Sequence, residues 1–273
     1  METAHSVILP GGVFTDDGIK TEVSFHVLNG RIEERLAEFA RQDLSPMGVT
    51  QLLATVLDSV DGMPLDEEMI HDMSVADRQF LMLSLASILD SDQIWLKSEC
   101  RHCKAEFDVG LQRSAIPLSM AGEGYPWAQA DTKLGRITMR VPTGRDQEAI
   151  SGLSEQAGVD RLFQLCTVAL EGGSDARSTE LDDEDRQRLE QALEDMAPEL
   201  ATEVQTECPD CGKPAVLSFN PYQIPELDSG AIYEDIHCLA FHYHWREEDI
   251  LMMSRDRRRR YISLIESHQG IHN

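Results

Sequence analysis

The chain has 273 residues, 41% of them hydrophobic, enough to bury a sizeable core in one large domain or two modest ones. No apolar run reaches the roughly 20 residues that cross a bilayer, and the opening METAHSVILPGG lacks the basic and apolar regions of a secretory signal, so a cytoplasmic protein with reduced cysteines is expected. A net charge of −25, from 24 Lys and Arg against 49 Asp and Glu, sets the surface against a phosphate backbone and suits solubility, high salt or a basic partner, or is simply a solvated face.

Residues 7–14, VILPGGVF, read as a strand entering a Gly-Gly turn, and IKTEVSFHVL (19–28) as a second strand ended by the turn signal Asn29-Gly30. In RIEERLAEFARQ, Ile32, Leu36 and Phe39 share a helical face, and SPMGVTQLLATVLDSV (45–60) reads as one helix as far as Val60. SVADRQFLMLSLASIL (74–89) predicts a helix capped by Ser74 and buried on several sides. DQIWLKSEC enters a first cysteine turn as a strand and AEFDVGL leaves it. Residues 112–134 read as irregular, GRITMRVP (135–142) as a strand, and TGRDQEAISGL as a helix starting at Thr143 or Gly144. GVDRLFQLCTVAL (158–170) and DEDRQRLEQALEDMAPEL read as helices, separated by an acidic surface loop over 171–185. ATEVQTEC and PAVLSF flank a second cysteine turn. GAIYEDIHCLAFHYHW is a helix, REEDILMM extends it or starts a short one, and SRDRRRRYISLIESHQG is a last helix with Ser254 as N-cap. Apart from the duplicated cysteine turn, no long repeat is evident.

These elements predict an α+β fold that is mostly α: a helical body, a small zinc-ribbon-like β element and a helical C-terminal region. The expected division is 1–97, a strand-turn and helical region; 98–220, a zinc-clamped region whose ribbon is split between 98–111 and 206–220; and 221–273, a helical interaction region.

Cys100-x2-Cys103 and Cys208-x2-Cys211 each place two sulfurs on one side of a tight turn, and two such turns complete a four-thiolate set that suits a structural zinc. The 104 residues between Cys103 and Cys208 would form an insertion clamped by the metal. A redox role fits less well, because neither turn opens a helical pattern, and four thiolates leave no open position for catalysis. Cys166 and Cys238 fall in helical apolar patterns and read as core residues. His237, His242 and His244 near Trp245 form no HExxH; structural packing and a metal or catalytic site are both open, with packing favoured. RDRRRR (255–260) is the one basic concentration; it pairs within the acidic chain or anchors an acidic partner or nucleic acid. The Tyr243, Trp245 and Tyr261 rings with Arg255, Arg257, Arg258, Arg259 and Arg260 have the composition of a partner-binding face, and core packing is the competing account. No nucleotide-binding loop, nucleophile elbow or carboxylate pair supports an enzyme.

The order of LPGG, VLNGRIEERL, VTQLLATVLDSVDG, SVADRQFLMLSLASI, CRHCKAEFDVGL, ITMRVPTGRDQE and IHCLAFHYHWREEDILMMSRDRRRRYISLI resembles the baseplate hub assembly proteins and tail assembly chaperones of T-even-type contractile phage tails, and their relatives in phage-like contractile injection systems. The resemblance spans nearly the whole chain. It implies a non-enzymatic part or chaperone in tail assembly that binds tail proteins such as the hub, tube or tape measure. The strong acidity and the RDRRRR cluster depart from that pattern. The alternative function is a zinc-ribbon module in nucleic-acid transactions, which the charge of −25 opposes.

Overall fold

The computed structural model describes residues 5–41, 44–171, 181–223 and 229–269, and most of the expected acidic loop lies outside them. Strand β1 (Ser6–Thr15) forms a hairpin with β2 (Gly18–Phe25), closed by Thr15 opposite Gly18, whose φ is +111°. Pro10, Gly11 and Gly12 interrupt the pairing between Ile8 and Val13, and the Gly11 and Gly12 N–H groups donate instead to the Asp77 carboxylate. Helix α1 (Gly30–Phe39) is capped by Asn29 and α2 (Pro46–Val56) by Ser45. They lead to β3 (Leu57–Val60), paired with β2 and with β4 (Met63–Pro64). Helices α3 (Glu67–His71) and α4 (Val75–Leu89) follow, then the hairpin of β5 (Gln93–Glu99) and β6 (Glu106–Gln112).

After a 3-10 turn at Arg113–Ala115 and β7 (Leu118–Ser119), the same order recurs. Strands β8 (Trp127–Thr132) and β9 (Gly135–Arg140) make a hairpin closed by Thr132 opposite Gly135. In both hairpins the threonine Oγ1 donates to the glycine carbonyl at 2.7 Å. Helices α5 (Gly144–Ile150) and α6 (Glu155–Cys166) lead to β10 (Thr167–Leu170), then α7 (Asp183–Glu194), β11 (Glu199–Leu200) and the hairpin of β12 (Glu203–Glu207) and β13 (Pro214–Ser218).

Register and packing agree that the second half is a second copy. Val23 faces Val60 and Phe25 faces Leu57 in the first; Ile137 faces Leu170 and Met139 faces Thr167 in the second. Ser74 to Leu111 runs without a gap against Asp182 to Phe219, aligning Asp77-Arg78-Gln79 with Asp185-Arg186-Gln187 and one cysteine turn with the other. The buried Ile137, Met139, Cys166 and Leu189 stand where the first core has Val23, Phe25, Val56 and Leu81. The residues between the cysteine turns are therefore mostly this second copy rather than an insertion in one ribbon; the expected boundary at 97/98 falls inside β5, and the one at 220/221 lies just beyond β13.

Helices α8 (Ser229–Tyr243), α9 (Glu247–Leu251) and α10 (Arg255–Gln269) end the described chain. EEDILMMSRDRR (247–258) repeats EEMIHDMSVADR (67–78), so α9–α10 reproduces α3–α4. The docking repeats too: Ser74 bridges Thr143, the N-cap of α5, and Ser254 bridges Asn29, the equivalent N-cap of α1. The C-terminal helices thus cover on the first copy the seat that α3–α4 covers on the second.

The expectation of a mostly α body is overturned. Helix takes 44% of the described residues and strand 29%, in several small antiparallel sheets. Two expected helices stop early: α2 ends at Val56 and α6 at Cys166, and each passes directly into a strand, β3 or β10. Apolar spacing cannot separate a helix from a short buried strand continuing it, whereas pairing with β2 or β9 satisfies the backbone groups of the last four residues. Residues 112–134, read as irregular, contain β7 and β8.

Candidate metal centre

The two cysteine turns have one backbone design. The Cys100 N–H donates to Ala105 O and the Lys104 N–H to Cys100 O, each at 2.9 Å; the Cys208 N–H donates to Lys213 O and the Gly212 N–H to Cys208 O, again at 2.9 Å. Each turn needs a left-handed residue after its second cysteine, and Lys104 (φ +63°) and Gly212 (φ +65°) supply it. The β5–β6 hairpin belongs to the first copy and β12–β13 to the second, so the four sulfurs meet at the junction of the duplication.

All four Sγ atoms lie within 4.8 Å of one another, with Cys100–Cys211 and Cys103–Cys208 at 3.7 Å. That is far beyond the ~2.0 Å of a disulfide. A tetrahedron with metal–sulfur bonds of about 2.3 Å has edges of about 3.8 Å, so the quartet fits a metal of the size and softness of zinc. Cys100 and Cys208 are buried with Phe107, while Cys103 and Cys211 lie at the surface. N–H groups of Cys103 and His102 hold the Cys100 thiol down at about 6. Cys103 is pushed up to about 12: the Ala105 N–H favours its thiolate, but desolvation and the sulfurs of Cys211, Cys100 and Cys208 outweigh it. Four thiolates this close repel one another, and a divalent cation at their centre offsets that repulsion.

The other candidate residues fall into two groups. Tyr243 stacks on Trp245 with centroids 4.6 Å apart, and Tyr261 meets both edge-on; all three pack against the C-terminal core of Ile232, Leu239 and Ile250. Arg258 is buried, bound to Glu33 at 2.5 Å and Asp235 at 3.3 Å, and Arg255 lies 3.8 Å from Glu33. Arg257, Arg259 and Arg260 are exposed and form no ion pair among the described residues. His237 and His242 flank the exposed Phe241 ring, and neither belongs to a metal-type cluster among the described residues. Cys166 is buried in the second core, its thiol pushed up to about 12 by desolvation and the neighbouring Asp146. Tyr233, His237 and Phe241 form an outward stripe; the sequence reading singled out His237 and Phe241 but not Tyr233, although the four-residue spacing marks one helical face.

No described helix is long and apolar enough to cross a membrane. No protein-family model, curated protein or solved structure matches the chain.

Proposed function

We propose that this chain is a non-enzymatic assembly factor or structural component of a contractile phage tail or phage-like injection system, working in the cytoplasm at the baseplate or hub. One structural zinc on Cys100, Cys103, Cys208 and Cys211 holds its two copies together. The chain binds tail proteins, whether hub, tube or tape measure, through the C-terminal helices. The observation that carries the zinc is the pair of 3.7 Å sulfur edges shared between two matching turns. The order of sequence segments along the whole chain supports the tail reading, and Arg257, Arg259 and Arg260, exposed and without an ion pair among the described residues, support a contact face on α10. Those same arginines favour the one other reading, a zinc-bearing module on nucleic acid.

The test is a pull-down of N-terminally tagged protein from cells expressing the neighbouring gene cluster, with zinc measured in the eluate. Recovery of hub, tube or tape-measure proteins with one zinc per chain is the expected result. Zinc with nucleic acid and without tail proteins sinks the tail reading; a DNA shift that fades as salt rises would then identify phosphate-driven binding.

A further inference from the structure

We propose that the four-cysteine centre is an oxidation latch: hydrogen peroxide converts it to two disulfides, Cys100–Cys211 and Cys103–Cys208, which hold the copies together as the metal leaves. The proposal rests on the metal reading above and adds a regulation to that site.

The pairing comes from the geometry of the junction. The first cysteine of each turn stands 3.7 Å from the second cysteine of the other, Cys100 from Cys211 and Cys208 from Cys103. Such reciprocal contacts are those of a two-fold interface, here formed within one chain. Each sulfur–sulfur contact must shorten by about 1.7 Å to become a disulfide. Across the junction, a small shift of one hairpin against the other achieves this and leaves the backbone bonds of both turns in place. A bond inside one turn must instead tighten a loop already fixed by its 2.9 Å backbone bonds and its left-handed residue. Phe107, Val109 and Ala215 pack with Cys100 and Cys208, so apolar contact keeps the hairpins apposed without the metal.

Exposure sets the order of reaction. Cys103 and Cys211 lie at the surface, and each has a buried partner across the junction, Cys208 or Cys100. As metal ligands the sulfurs are already thiolates. The exposed thiolate attacks one peroxide oxygen; an S–O bond forms, the O–O bond breaks and hydroxide leaves, giving a sulfenic acid. The buried thiolate attacks that sulfur; the S–S bond forms, the S–O bond breaks and a second hydroxide leaves. Each pair gives two electrons to one peroxide. Two peroxides therefore oxidise all four cysteines, release four hydroxides and leave no thiolate to hold the cation. Cys166 and Cys238 lie outside the cluster and take no part.

The experiment measures zinc in the freshly purified, reduced full-length protein. It then titrates hydrogen peroxide while a colorimetric chelator reports released zinc, and maps unreduced tryptic peptides by tandem mass spectrometry. Trypsin cuts after Arg101 and Lys104, so Cys100 and Cys103 fall on separate peptides. One zinc per chain at the start is expected, with complete release at about two peroxides per chain and the pairs Cys100–Cys211 and Cys103–Cys208. The oxidised protein should melt higher than reduced protein stripped with EDTA; melting no higher overturns the latch. Disulfides within the turns, or Cys100–Cys208 with Cys103–Cys211, overturn the proposal. So do zinc retained through a large excess of peroxide and sulfinic acids in place of disulfides. Each of these results leaves the zinc reading standing. A reduced protein without zinc sinks that reading, and the proposed release with it.

Discussion

The two copies put the same tripeptide, Asp-Arg-Gln, at the same place on equivalent helices, and the two arginines meet different fates. Arg78 of α4 has no exposed surface; its guanidinium donates to Pro46 O, Ile70 O and Thr50 Oγ1. Arg186 of α7 keeps 32% of its side chain exposed, pairs with Asp160 at 2.7 Å and lies over the Phe163 ring. Cover makes the difference. Helix α4 is overlaid by α5, whose Gly144 leaves no room for a Cβ against Arg78, and Leu81, Met82, Leu83, Leu85 and Leu89 are buried around it. On α7 the positions of Met82 and Leu83 are Glu190 and Gln191, and only one stripe faces the sheet. A duplicated backbone thus carries an interior helix in one copy and a surface helix in the other. The third version, Arg258 of α10, is again fully buried, beneath α1.

The four-cysteine cluster draws two sulfurs from each copy, and breaking it should have the largest effect. Because each copy supplies half of the ligands, Cys100→Ser and Cys208→Ser should destabilise alike, by several kcal/mol, since zinc binding is folding free energy in such sites. Thermal melting and zinc content check this. A Cys208→Ser protein with full zinc and unaltered melting would remove the four-cysteine assignment.

Next in size are the buried arginines. Arg258→Met leaves Glu33 buried without its main cation and should cost about 3–5 kcal/mol. Arg78→Met leaves direct acceptors that are all neutral, about 1–3 kcal/mol for each one unsatisfied, with the Glu148 carboxylate one hydrogen bond further away at Thr50, and adding Thr50→Val should restore little. Adding Glu33→Gln to Arg258→Met should restore much of the loss, because an amide is cheaper to bury than an unpaired carboxylate. Denaturant unfolding of the two double-mutant cycles separates an ion-pair site from a hydrogen-bond site; equal coupling in both would erase the distinction.

How much of this was legible depended on which residues the repeat preserves. The helix starts at Ser74 and Thr143 could be read because capping chemistry is local. So could the cysteine turns, whose paired C-x2-C spacing is itself local. The ungapped run from Asp182 to Phe219 against Ser74 to Leu111 is in the sequence, but the part of the second copy ahead of it was not legible, because its core keeps position and apolar character while the side chains change, as with Val56 and Cys166 or Phe25 and Met139. Loops of unequal length between α1 and β3, and between α5 and β10, shift the period over that part. The burial of Arg258 was hidden in a run of arginines because only the docking of α1, brought by Asn29, decides which one turns inward.

The pH dependence distinguishes the copies more gently. Burial raises the Asp77 carboxyl above its usual range, against the bonds from Ser74, Gly11 and Gly12. A raised native pKa means the folded state holds its proton more tightly, so this contribution is present below the unfolded value and fades as pH rises through the folded one. Asp77→Asn should therefore flatten the loss of stability as pH rises above the usual carboxylate range, measured by melting at a series of pH values. Glu33, also raised by burial, retains part of the slope. Asp146 runs the other way: the Arg140 pair and the Thr143 bonds outweigh its desolvation and lower its pKa, so its contribution is lost as pH falls through the native value. Asp146→Asn should cost stability at neutral pH and not in strong acid.

The smallest test swaps one residue between the cysteine turns. Lys104 and Gly212 share a left-handed conformation, but only glycine adopts it without crowding its Cβ, a difference of about 1–2 kcal/mol. Glycine also has more freedom to lose on folding, which offsets about 0.5–1 kcal/mol. Lys104 does pair with Glu99 at 3.2 Å, but both side chains are exposed and such a pair contributes little. Lys104→Gly should therefore raise stability slightly, and Gly212→Lys should lower it by a similar amount, with zinc content unchanged in both. If the two exchanges instead moved stability in the same direction, the turns would not be equivalent under load, and the symmetry read from their hydrogen bonds would be only geometric.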